Sequence, residues 1–299
     1  MNRPVTGKPR RAKLTVRRLL SAAVGMLAVA FLAVPPATAL ALPTPQALVS
    51  NLDLECFKTS SYQPPAVTLT LRHLNPVLRS LPTEQVTLGP REQLCVPVAK
   101  NNVIPPPGVL DFVRFVDLAC YQIRGASADT RLVLSHLNPV LQDLPRQEIA
   151  MNVAQQLCVP VAKNNVVPPA EVLSLIAHID LKCYAITPNT AMNRRLSLQQ
   201  LNPVLVGQIP TSTVEVTNAR QLCVPVQKSG DRIPAEVLNI VQWIDLEKYD
   251  IVTQAIRPVT LTLRHLNPVL GSLPVEQATL SGAAQLAVPV AKNGQLPPG

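Results

Sequence analysis

Leu74-Asn75-Pro76-Val77-Leu78 returns at Leu137 to Leu141, Leu201 to Leu205 and Leu266 to Leu270, with 63, 64 and 65 residues between successive asparagines. Internal repetition of this length constrains the fold more than any local propensity, because each copy must bury its apolar face against something. Two further blocks keep the same beat. Gln93-Leu94-Cys95-Val96-Pro97-Val98 recurs from Gln156, Gln221 and Gln285, and Asp53-Leu54 recurs at Asp117-Leu118, Asp180-Leu181 and Asp245-Leu246. Two residues beyond each Asp-Leu stands Cys56, Cys120, Cys183 or, in the last copy, Lys248; Phe57, Tyr121, Tyr184 or Tyr249 follows it.

The six cysteines fall into pairs 39, 38 and 40 residues apart: Cys56 with Cys95, Cys120 with Cys158, Cys183 with Cys223. In the fourth copy both matching positions are changed, to Lys248 and Ala287, as if a bridge were lost as a unit. Six cysteines allow 15 connectivities. Bridges between units, Cys95 with Cys120 and Cys158 with Cys183, suit the spacing but strand Cys223 opposite Lys248. Bridges within units leave no orphan and are the expected pairing.

The first eighteen residues carry seven Lys or Arg and no acid, and an uncharged apolar run, Leu19 to Val34, follows. Ala37-Thr38-Ala39 and Ala39-Leu40-Ala41 then offer small residues at a cleavage spacing, the layout of a secretory signal peptide. Sixteen apolar residues ending in Pro35-Pro36 are short for a retained anchor. Arg10-Arg11 and Arg17-Arg18 leave twin-arginine export open beside the Sec route. Without that leader the formal +9 falls to 20 basic against 18 acidic residues, or +2. No basic run survives and aromatics make up 3% of the chain, so a nucleic-acid platform is excluded. No second apolar span is present, so no transmembrane helix is expected in the mature chain. Export favours disulfides, which persist in oxidising compartments.

Val67-Thr68-Leu69-Thr70-Leu71 and Val259-Thr260-Leu261-Thr262-Leu263 alternate with period two, and Arg131 to Ser135 does so weakly, as half-buried strands do. The cysteine-bearing blocks also read as strands. Proline inside Val-Pro-Val cannot donate to a ladder, so an edge is expected there. Asn-Pro in the Leu-Asn-Pro block reads as N-cap and first helical residue, and the next proline limits that helix to a turn or two. Pro169-Ala170-Glu171 and Pro234-Ala235-Glu236 read as starts of short helices at the joints. The chain stops at Leu296-Pro297-Pro298-Gly299, the same place in the unit as Pro105 to Gly108, which puts joints near residues 107, 169 and 234.

The expectation is therefore a mainly β protein. A signal peptide over residues 1–39 precedes a monomeric tandem array of four small disulfide-stapled β domains of about 64 residues, over 42–107, 108–169, 170–234 and 235–299. Short helices lie at the joints, and the last unit has no bridge. A unit this small is marginal alone, and closing a loop of some 39 residues is worth roughly 4 kcal/mol in the chain-entropy model. The fourth unit, lacking that term, is expected to melt first.

Candidate sites are few. His73, His136 and His265 precede Leu-Asn-Pro in three copies and Gln200 fills the place in the third, which fits a strand-end hydrogen bond better than a metal ligand. Asp53, Asp117, Asp180 and Asp245 recur with Lys100, Lys163, Lys228 and Lys292, giving one candidate structural ion pair per unit, read here as a solvated surface pair with a partly buried one as the alternative. The Asn and Gly residues after those lysines are turn formers. No Asp-rich calcium loop and no Gly-x-Ser-x-Gly elbow occurs, and no metal, cofactor or catalytic residue is expected. His178 aligns with Asn51, Phe115 and Trp243, a packing or rim position rather than a catalytic base, whose aromatics would otherwise contact a ligand near the joints.

Asp180-Leu181-Lys182-Cys183-Tyr184 followed by Leu222-Cys223-Val224-Pro225-Val226-x-Lys228 resembles an uncharacterised domain of secreted bacterial proteins, often present in tandem, with the likeness covering nearly all of residues 45–299 and the fourth copy departing from it at both cysteines. The resemblance implies a domain identity and no activity. The function expected is that of a secreted or cell-surface, non-enzymatic, structural or adhesive protein with an extracellular or envelope ligand. The alternative is a secreted hydrolase or inhibitor with its site at one joint.

Overall fold

The computed structural model describes residues 40–299; the expected signal peptide lies outside them. Each unit contributes a short helix, a strand that bears the first cysteine of the repeat (Lys248 in unit 4), an arm strand and a long strand. In unit 1 these are α1 (Pro45–Ser50), β1 (Leu54–Tyr62), β2 (Thr68–His73) and a long strand broken at Leu88-Gly89-Pro90 into β3 (Glu84–Thr87) and β4 (Arg91–Lys100). Unit 2 has α2 (Pro107–Val113), β5 (Leu118–Gln122), β6 (Ser127–His136) and β7 (Gln147–Lys163). Unit 3 has α3 (Ala170–Ile176), β8 (Leu181–Thr187), β9 (Ala191–Gln200) and β10 (Ser212–Lys228). Unit 4 has α4 (Ala235–Val241), β11 (Leu246–Val252), β12 (Val259–His265) and β13 (Glu276–Lys292).

The chain is mainly β, with short helices and three disulfides, but its strands do not build four separate domains. The described residues, 40–299, fall in one compact unit. Antiparallel pairings run β1-β4-β5-β7-β8-β10-β11-β13 and return to β1, so two strands from each unit close an eight-stranded barrel without edges. The register sets Cys56 opposite Cys95, Cys120 opposite Cys158, Cys183 opposite Cys223, and Lys248 opposite Ala287. The three cysteine pairs are bonded within units, the pairing expected because it leaves no orphan.

The arms interlock the units further. Each arm strand pairs on one side with its own long strand and on the other with the end of the long strand two units away: β2 with β10, β6 with β13, β9 with β4 and β12 with β7. Proline marks the changeover. β4 pairs β5 as far as Cys95 and takes β9 from Val98, with Pro97 between them, and Pro160, Pro225 and Pro289 stand at the same junction in the other long strands. The missing N–H thus falls where one partner has left and the next has begun, an edge within an otherwise central strand.

Two apolar clusters follow from the strand period. Facing inward are the cysteines, Leu54, Leu118, Leu181 and Leu246, joined at one end by Val49, Phe112, Leu175 and Ile240 of the four helices. These helices touch in a ring, α1 to α2 to α3 to α4 and back to α1. Facing outward, Leu94, Val96, Val98 and their counterparts pack under Leu69, Leu71, Leu132, Leu134, Leu196, Leu198, Leu261 and Leu263 of the arms. Val-Pro-Val strands are covered on both faces, hence their continuous apolar run. The ends of the repeat meet: the Gln46 N–H donates to the Pro298 carbonyl at 3.0 Å, so the last unit leads into the first helix as each unit leads into the next.

Candidate functional site at the barrel mouth

At the helix end, the recurring polar residues are consumed by the fold. Asp53, Asp117, Asp180 and Asp245 pair with Lys100, Lys163, Lys228 and Lys292. These pairs are buried rather than solvated, each residue being 4% exposed or less, because the next unit's Leu-Asn-Pro turn covers them. The asparagine Nδ2 of that turn donates to the aspartate of the preceding unit: Asn138 to Asp53 at 2.6 Å, Asn202 to Asp117 at 2.7 Å, Asn267 to Asp180 at 3.3 Å, and Asn75 to Asp245 at 2.8 Å. Burial pushes the Asp53 and Asp117 carboxyls up and the Lys100 and Lys163 amines down, against their mutual attraction. Removing one partner of such a pair strands a buried charge.

The histidines serve the contacts between opposite units. His73 meets Tyr184 at 2.9 Å, His265 meets Tyr121 at 3.1 Å and His136 meets Tyr249 at 3.3 Å. Burial lowers all three to about 4, so they are neutral at physiological pH. The one copy with Gln200 in place of histidine faces unit 1, where phenylalanine, Phe57, replaces the tyrosine; Gln200 donates to Glu55 instead, at 2.6 Å. His178 is not a plain packing residue: its Nδ1 lies 2.9 Å from Asp231, which also holds Asn267. Phe115 and Trp243 pack half-buried against the inner cluster and are not exposed contact aromatics.

The opposite end of the barrel carries no helices. There the register brings Lys58 against Gln93, Gln122 against Gln156, Ala185 against Gln221, and Asp250 against Gln285. Gln93 Nε2 donates to Gln285 at 3.0 Å, Gln285 Nε2 to Asp250 at 3.2 Å, and Gln221 Nε2 to Gln155 at 2.7 Å. Beneath this layer sits Lys248, 1% exposed, whose Nζ donates to Gln93 and Gln156, each at 2.9 Å. A side chain of β11 that reaches β4 and β7 must cross the barrel interior. With no carboxylate in contact, burial lowers the Lys248 amine to about 7, and the charge of Glu92 opposes the shift.

Open clefts of about 690, 390 and 480 Å3 adjoin one another around this mouth, sharing Asp250, Gln155, Gln221 and Gln285 as lining residues. Gln221 is 7% exposed and its Oε1 has no hydrogen-bond partner. A buried acceptor left unmade costs about 1–3 kcal/mol, which a donor entering the cleft would recover. Another groove, of about 520 Å3, lies on the outer face of the β6–β7 arm between Arg131, Glu148 and Pro188. None of its lining polar atoms is buried without a partner. Chemistry therefore favours the mouth over this groove.

The glutamines were visible in the sequence as a constant of the repeat, two residues before Cys95, Cys158, Cys223 and Ala287. Their convergence was not visible, because it depends on barrel closure. The same holds for buried Arg91, whose guanidinium lies 2.8 Å from Glu276, itself an acceptor for Tyr121 at 2.7 Å. Among the described residues no three His, Cys, Asp or Glu side chains are grouped to hold a metal ion. Compared with family models, curated proteins and solved structures, the chain shows no match.

Proposed function

We propose that this is a non-enzymatic, secreted or cell-surface binding protein that takes a hydroxyl-rich ligand, such as an envelope saccharide, at the polar mouth of its barrel. The unpartnered Oε1 of Gln221, buried at the meeting of two clefts, carries the reading. Hydroxyl groups both donate and accept, which suits a lining of amides, the Asp250 and Glu92 carboxylates and the cations Lys58 and Arg220. The clefts lack the aromatic walls that an apolar ligand would bury against. Three disulfides are compatible with an extracellular protein. No helix among the described residues is long and apolar enough to cross a membrane.

The test is a screen of immobilised glycans and envelope polymers against the intact protein and its Gln221→Leu and Asp250→Asn variants. Saturable binding, weakened at least about tenfold by either change, a loss of some 1.4 kcal/mol, supports the reading. Binding that both variants retain, or turnover of a bound polymer, overturns it.

A further inference from the structure

Where three units place a bridge, the fourth places an amine, and that amine touches a bridge of its neighbour across the barrel. Lys248 Nζ lies 3.9 Å from Cys120 Sγ. Neither of the other two disulfides has a lysine or arginine nitrogen in hydrogen-bonding contact with its sulfurs among the described residues. All six cysteines are 1% exposed or less, so solvent access does not distinguish the bridges. The cation does.

Exchange rates rise when the departing sulfur is a stabler thiolate, and a neighbouring lysine stabilises a thiolate. We infer that Cys120–Cys158 is the redox-labile bridge of this protein, opened by a small dithiol entering through the mouth, with Lys248 holding the departing Cys120 thiolate. One thiolate of the reagent attacks Cys158 Sγ. The Cys120–Cys158 bond breaks, its electron pair stays on Cys120, and a mixed disulfide forms at Cys158. The reagent's second thiolate then attacks the reagent sulfur of that mixed disulfide and releases Cys158. The dithiol leaves as a cyclic disulfide, its two electrons having entered the bridge. Its two protons finish on Cys158 and on the Cys120–Lys248 pair.

Cys120 Sγ also lies 3.7 Å from Cys95 Sγ, which would offer the thiolate a second route. The register works against that route. Cys95 faces Leu118 and Cys120 faces Gln93, so the two cysteines are diagonal neighbours. Diagonal α-carbons are about 7–8 Å apart, at or beyond the reach of a bridge, about 7 Å. The same offset separates Cys158 from Cys183, whose sulfurs also touch at 3.7 Å.

The experiment exposes the folded protein to graded dithiothreitol, traps free thiols by alkylation and maps the labelled peptides. Cys120 and Cys158 are expected to label first, at about tenfold lower reductant than either other pair, a gap of some 30 mV. Lys248→Met is expected to abolish that lead, and Lys248→Arg to keep it. Two results would overturn the assignment: another pair opening first in the wild-type protein, or an unchanged order in a natively folded Lys248→Met variant. The wild-type order is decisive even where a variant does not fold.

Discussion

Each asparagine of the Leu-Asn-Pro turn uses both ends of its amide. Asn138 Oδ1 accepts from the Val140 N–H as an N-cap, while Nδ2 reaches the Ser50 carbonyl and Asp53. Its recurrence and its cap were legible in the sequence. Its second role was not, since the aspartate it holds lies 85 residues away. Other buried polar groups carry no repeat signal, and pH exposes them. Burial raises Glu247 to about 7 in the folded chain from an ordinary 4.5, with only Tyr249 and no cation in contact. The folded state then holds this proton more tightly than the unfolded one, so stability is lost as pH climbs from 4.5 through 7. Glu247→Gln keeps an acceptor for Tyr249. The variant should match the wild type near pH 4 and exceed it by about 3 kcal/mol above pH 7. Urea unfolding at pH 4 and pH 8 checks this; a difference independent of pH would contradict it.

At the scale of elements, the arms explain the repeat's irregularities. The long strand changes partner at its proline, and the Lys-Asn turn beyond it is pinned to the same distant arm. Asn164 and Asn293, both with left-handed backbone, accept from Thr262 and Val133 two units away. Strand character was readable from alternation, and the proline was readable as an edge. The identity of the partner strand was not, because alternation specifies a face and not a neighbour. The histidine–tyrosine contacts offer a direct test. Phe57→Tyr with Gln200→His rebuilds in units 1 and 3 the pair found at the three equivalent contacts. Each single change should destabilise, by leaving a buried polar atom unmade or by removing the Gln200–Glu55 bond. The double variant should recover about 1 kcal/mol or more of coupling in a double-mutant cycle. Simple additivity of the two changes would deny that these positions answer one another.

At the scale of the whole molecule, repetition with a period of 64 predicts four beads, and closure makes one barrel instead. A unit of this size is marginal alone, and two remedies exist: a staple within the unit or neighbours around it. This chain uses both. The second is invisible to a reading that follows the chain linearly, because the joint between unit 4 and unit 1 is formed by residues at opposite ends. The fourth unit can therefore lose its bridge without becoming the weak member. β13 pairs with strands of units 1, 2 and 4, so freeing it would open the barrel everywhere. Native-state hydrogen exchange measures this most directly. Amides of β11 and β13 should open only by global unfolding, with the same free energy as those of β5 and β7. Exchange of the unit 4 strands at a distinctly lower free energy, while units 1 to 3 stay protected, would contradict the closed ring and restore the four-bead array.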